Sequence, residues 1–167
     1  RQAAVEKGWL ARDALREVAL AHQVCPYYLG QELARVGRQW QALNKEVAAQ
    51  APERRYHLLE TLPTKLVSAL HTLAGAMTDY LVEHPEGANQ ALQELLFETL
   101  AFCRLAEQFD DHSLCDLESQ GKGSAVLGLR NVVPADFLAP RFKRAHCTVL
   151  FSATLSPFHY YRDLLGL

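Results

Sequence analysis

At 167 residues and 49% hydrophobic content, the chain has enough apolar material for one ordinary packed domain or two small ones. A net charge of −2 and an isoelectric point near 6.4 exclude a global electrostatic drive toward nucleic acid, so any such binding has to come from local placement. No run of about 18 apolar residues and no charged-then-apolar leader pattern occurs, which sets the expectation of a soluble, cytoplasmic protein without membrane contact.

In chain order, the first pattern is the amphipathic stretch 11–21, with Leu15, Val18 and Leu20 among charged positions. Pro26 then suits the first turn of a new helix, where its missing N–H costs nothing, and this puts Cys25 at the helix edge. A thiol there feels the positive end of the helix dipole, which favours thiolate chemistry or metal ligation; a half-buried structural cysteine fits the same spacing. Leu29, Leu33, Val36, Trp40, Leu43 and Val47 recur at steps of four and three, the face of one long helix. A second helical pattern covers 51–84, with Pro63 as a kink or boundary and 84–87 as its stop. A third, very regular, covers 88–109, and three such helices make a small antiparallel bundle.

Past Asp110 the character changes. "SLCDLES" alternates, "QGKGS" is a turn and "AVLGLRNVV" alternates again, which predicts a β-hairpin. Pro134 marks a helix start in "PADFLAPRF", "CTVLFS" reads as a buried strand, and "SPFHYYRDLLGL" as a closing helix. The expected fold is mainly α with a smaller α/β part.

Most chemistry-bearing motifs fail on spacing. Gly121-Lys122-Gly123-Ser124 is no phosphate loop, because Ser or Thr must follow the Lys directly and a Gly must stand five residues before its Gly-Lys pair, where this chain has Asp116. Asp110, Asp111 and His112 read as solvated or capping groups near a helix end. Among the four cysteines, Cys25, Cys103, Cys115 and Cys147, there is no C-x-x-C pair, and Cys103 and Cys147 read as small core residues. The basic clusters are Arg54-Arg55, which reads as a solvated face, and Arg141, Lys143 and Arg144, which lead into the closing strand.

The run "TVLFSATLSP" followed by "YYRDLLGL" resembles the Ser-Ala-Thr motif of superfamily 2 helicases, in the form found in the iron–sulfur DNA helicases of the XPD/DinG type. "VALAHQVCPYYLGQELAR" is similar to the segment carrying the last cluster cysteine in that family, with Cys25 at the matching position. The likeness is strongest over 1–34 and 114–167; in the helical middle it is one of arrangement.

The resemblance implies residues 1–35 as the end of an iron–sulfur cluster domain, 36–111 as a helical arch-like domain, and 112–167 as a hairpin and the start of a RecA-like second motor lobe. The parent is then an ATP-dependent helicase moving 5′ to 3′ on single-stranded or forked DNA, with ATP, Mg²⁺ and a 4Fe–4S cluster as cofactors. Ser152, Ala153 and Thr154 would couple nucleotide state to DNA grip. Cys25 would be a cluster ligand, and Arg12, Arg16, Arg141, Lys143 and Arg144 would contact phosphates. The family's phosphate loop and Asp-Glu-Ala-His segment are missing, so this chain alone is expected not to hydrolyse ATP. One thiolate cannot hold a four-cysteine cluster. These departures lead to the expectation of a fragment with sequence missing near 34–36. The alternatives are a non-enzymatic helical protein-interaction module and a small metal-binding regulator.

Overall fold

The structure, a computed structural model, describes residues 27–51, 53–85, 90–121 and 124–167. It is mainly helical with a small three-stranded antiparallel sheet. The elements are α1 (Tyr27–Gln50), β1 (Tyr56–Leu59), α2 (Thr64–Glu83), α3 (Gln90–Glu107), β2 (Ser113–Gly121), β3 (Ser124–Asn131), α4 (Ala135–Arg144) and α5 (Phe158–Leu165).

The six apolar positions read from the sequence of α1 do form one helix face, and that face serves two cores in turn. Its first half contributes Leu29, with Leu33 and Val36 beside it, to a cluster with Leu73, Ala74 and Met77 of α2 and Leu92, Leu95 and Leu96 of α3. Its second half contributes Trp40 and Val47 to a cluster with Leu66, Cys115, Leu117, Ala125 and Leu127. Each fully buried Leu or Met in these clusters stabilises the fold by about 1.5–3 kcal/mol over its exposed state. Helix α1 runs unbroken through 34–36, so no gap interrupts the described chain there. The 4–3 spacing across that point reflects a real helical face.

Helix α2 starts at Pro63, whose carbonyl accepts from the Leu66 and Val67 amides, and stops before Pro85. The segment ahead of it departs from the sequence expectation. Residues 56–59, read as helical, form strand β1 instead. They pair antiparallel with β2 in the register Tyr56↔Glu118 through Leu59↔Cys115. Pro63 cuts them off from α2, and pairing with β2 supplies the backbone bonds that so short a helical piece could not. Sheet order is β1-β2-β3.

The predicted hairpin is present, with Gly121 opposite Ser124 at its turn. Its inner face, Cys115, Leu117, Ala125 and Leu127, lies in the second core, so the hairpin packs with the helices.

Helices α4 and α5 form where Pro134 and "SPFHYYRDLLGL" predict them, and neither contains a buried residue. They pack on each other, and Gly166 lies close against the first. At φ +71° it closes α5 in the left-handed region, and a Cβ there would sit 2.9 Å from the Ala135 carbonyl oxygen.

The expected strand over "CTVLFS" is not formed. Residues 147–151 are irregular and exposed, with Val149 at 76% and Phe151 at 91%. A strand exists only through a neighbour's backbone, and among the described residues neither edge of the sheet pairs with this run. Cys147 is accordingly exposed, against its reading as a core residue, whereas Cys103 is buried as expected.

Candidate functional site

The residues singled out in the sequence divide into three groups. Cys25, Arg12 and Arg16 lie outside the described residues. Arg141, Lys143 and Arg144 occupy the last turn of α4 and are all exposed. Three cations at a helix C-terminus are favoured by the macrodipole, so the helix itself gains from them. The same placement leaves three charged heads free in solvent, the condition for contact with phosphates.

Ser152, Ala153 and Thr154 sit on the exposed segment between α4 and α5. The Thr154 backbone N–H donates to Ser152 Oγ at 3.2 Å, and the two hydroxyl oxygens are 3.3 Å apart. This is a serine side chain folding its own backbone into a turn two residues on. Both hydroxyls keep unused capacity, because each has one donor and two acceptor lone pairs. The arrangement can exchange hydrogen bonds with an approaching group; by itself it carries no general base or nucleophile pair. Among the described residues no hydrogen bond links this turn to the basic end of α4.

The two buried cysteines, Cys103 and Cys115, do not offer thiolates. Burial, reinforced by the Glu107 carboxylate, pushes the Cys103 thiol up to about 11; burial, reinforced by Asp116, pushes Cys115 up to about 12. Both stay protonated at neutral pH, and among the described residues no group of three His, Cys, Asp or Glu side chains could hold a metal ion. The described residues therefore do not fit an iron–sulfur cluster.

Asp110 caps the start of the hairpin, as its position suggested. Its Oδ1 accepts from the His112 backbone N–H at 3.0 Å, from Ser113 Oγ at 2.7 Å and from Asn131 Nδ2 at 3.4 Å. Arg54 and Arg55 are exposed. Lys122 and Gly123, from the rejected phosphate loop, fall outside the described residues.

Sequence reasoning missed one charged arrangement. Asp116, its side chain 3% exposed, lies on the outer face of β2 opposite Gly128. Arg130 grips it, with Nη2 donating to Oδ2 at 3.1 Å and Nε 2.9 Å from Oδ1. The second contact is an ion pair without an aligned hydrogen bond, so Oδ1 is buried and incompletely satisfied. The alternation Cys115-Asp116-Leu117 already put a carboxylate on the face opposite the core; only the register of the hairpin reveals its partner.

No family model matches the chain, and neither a curated protein nor a solved structure matches it. No helix among the described residues is long and apolar enough to cross a membrane.

Proposed function

We propose that this chain is part of an ATP-dependent 5′ to 3′ DNA helicase of the iron–sulfur superfamily 2 type. The observation that carries the reading is the Ser152-Ala153-Thr154 turn, exposed after an apolar run and followed directly by a short helix. The element order supports it: helical body, hairpin, basic helix, motif, helix. In this reading 36–111 is the arch, and the closing segment begins a RecA-like second lobe. The Ser152 and Thr154 hydroxyls exchange hydrogen bonds as lobes close on nucleotide, coupling ATP state to DNA grip. Arg141, Lys143 and Arg144 contact the phosphates of single-stranded or forked DNA, as do Arg12 and Arg16 in the intact protein. Cys25 is a cluster ligand in the intact protein. ATP, Mg²⁺ and the 4Fe–4S cluster belong to that parent; this chain has neither phosphate loop nor Asp-Glu-Ala-His segment and turns over no ATP alone.

The test is binding of a fluorescein-labelled single-stranded oligonucleotide by anisotropy over a salt series. Three phosphate contacts contribute a slope of about −2 in log K against log salt. Replacing Arg141, Lys143 and Arg144 with alanine removes that part of the slope and weakens binding alike for all sequences. No binding at low salt overturns the reading in favour of a protein-interaction module.

A further inference from the structure

Among the described residues β1 is an edge strand, and the register fixes which of its backbone groups are free. The Ser119 N–H donates to the Arg55 carbonyl at 2.7 Å, and Arg55 lies opposite Ser119 by continuation of the Tyr56↔Glu118 register. Because antiparallel ladders alternate bonded and non-bonded pairs, Arg55, His57 and Leu59 face β2 with their N–H and C=O groups. Tyr56 and Leu58 turn theirs to the open side. The opposite ladder obeys the same alternation, with the Val132 N–H donating to the His112 carbonyl at 2.8 Å.

Beside Leu58 and Leu59 runs a groove of about 610 Å³ between the second half of α1 and the loop from β1 into α2. That volume lies within the range of roughly 300–1,000 Å³ over which pockets hold ligands. Leu43, Leu59 and Leu62, partly buried members of the second core, give it an apolar floor. Its rim carries Glu46, Glu60 and Lys65, all exposed. Neither acid has an ion-pair partner among the described residues, so the rim is net negative.

We propose that the open edge of β1 and this groove form a docking site for an extended peptide segment of a partner protein. The segment adds as a fourth strand beside β1, with apolar side chains at alternate positions entering the groove and a basic residue over Glu46 and Glu60. Backbone bonds to Tyr56 and Leu58 supply affinity, while the floor and rim select side chains. An exposed edge with free N–H and C=O groups is a ready template for such pairing. This site is separate from the Ser-Ala-Thr turn and stands or falls independently of the helicase reading.

The experiment uses a synthetic array of eight-residue peptides alternating valine, isoleucine or leucine with lysine, arginine, threonine or glutamate. Hits are measured by fluorescence anisotropy against the full chain. The expected result is saturable binding of lysine- or arginine-bearing peptides, with slowed hydrogen exchange at the Tyr56 and Leu58 amides. Leu58→Pro removes an N–H that the β2 ladder does not use, and proline is tolerated on an edge strand in that position. It should keep the far-UV circular dichroism and weaken the peptide at least about ten-fold, through the lost bond and the ring that blocks close approach. Should Leu58→Pro disturb the fold, the double variant Glu46→Lys/Glu60→Lys, at exposed positions, still decides: it should shift preference to glutamate-bearing peptides. Three results overturn the proposal. They are no binding at millimolar peptide, binding unchanged in both variants, or occupation of the edge by a second copy, seen as self-association that Leu58→Pro abolishes.

Discussion

The Asp116–Arg130 pair makes a prediction whose sign is not obvious from the contact itself. Removing either partner deletes the same two contacts, at 2.9 and 3.1 Å, yet the two deletions leave different remnants. Asp116→Ala leaves a guanidinium that is already 48% exposed and returns to water. Its cost is that of a surface ion pair plus a small void, about 1 kcal/mol. Arg130→Ala leaves a carboxylate 3% exposed, with Oδ1 already lacking an aligned donor. Breaking a buried pair in this way costs about 3–5 kcal/mol, and admission of water where the half-exposed arginine stood reduces this to about 2–3 kcal/mol.

The double variant Arg130→Ala/Asp116→Ala removes the stranded charge and should cost only about 1–1.5 kcal/mol, making it more stable than Arg130→Ala alone. Urea unfolding followed by circular dichroism measures this directly. With a slope of about 1–3 kcal/mol per molar, the midpoint of Arg130→Ala should fall by about 1 M and recover by roughly half of that in the double variant. If Arg130→Ala is no worse than Asp116→Ala, or if the two losses simply add, the carboxylate is not held in a desolvated site and the reasoning fails.

Two further outcomes follow from the same packing. In a Cys25→Ser background, Ellman's reagent at pH 8 should react at once with exposed Cys147, while Cys103 and Cys115 should react only on unfolding. Because both buried thiols are raised from 9.0, to about 11 and about 12, they leave stability unaffected below pH 9.0; the unfolded chain ionises first above it, so stability falls between pH 9.0 and about 12. A flat alkaline limb in urea titrations would contradict the burial of these thiols. Gly166→Ala forces a side chain into φ +71° and 2.9 Å from the Ala135 carbonyl oxygen. It should cost about 1–2 kcal/mol in the contact between α4 and α5, read as faster hydrogen exchange at the Leu167 amide, which donates to the Arg162 carbonyl, with exchange in α2 unchanged.

What was legible in the sequence is what local periodicity determines. The 4–3 spacing from Leu29 to Val47 gave α1, and the alternation on both sides of "QGKGS" gave the hairpin, because each pattern is written within one element or between neighbours. Strand β1 was not legible: four residues carry too little alternation to outweigh a helical context, and its partners, Cys115 to Glu118, lie far along the chain. The Asp116–Arg130 pair spans 14 residues and exists only once the register is known. The run 147–151 shows the converse failure. Its composition is that of a buried strand, but being a strand is a property of a pair, and composition cannot supply the second member.

That exposed run bears on how the Ser152–Thr154 turn can work. The helical body and hairpin share two buried clusters joined through α1, so disturbing any part of them costs apolar burial at both. The closing segment draws on neither cluster, since α4 and α5 contain no buried residue; they pack on each other, with Gly166 close against Ala135 and Ala139. Regions with few buried contacts open at a small fraction of the global unfolding free energy. The turn that links Ser152 Oγ to the Thr154 amide can therefore change partners without loosening either core. The coupling role proposed for this turn would draw on that independence: a switch embedded in the cores would have to unfold them to move, whereas one on this segment has the local Ser152–Thr154 hydrogen bonds and the α4–α5 contact to rearrange.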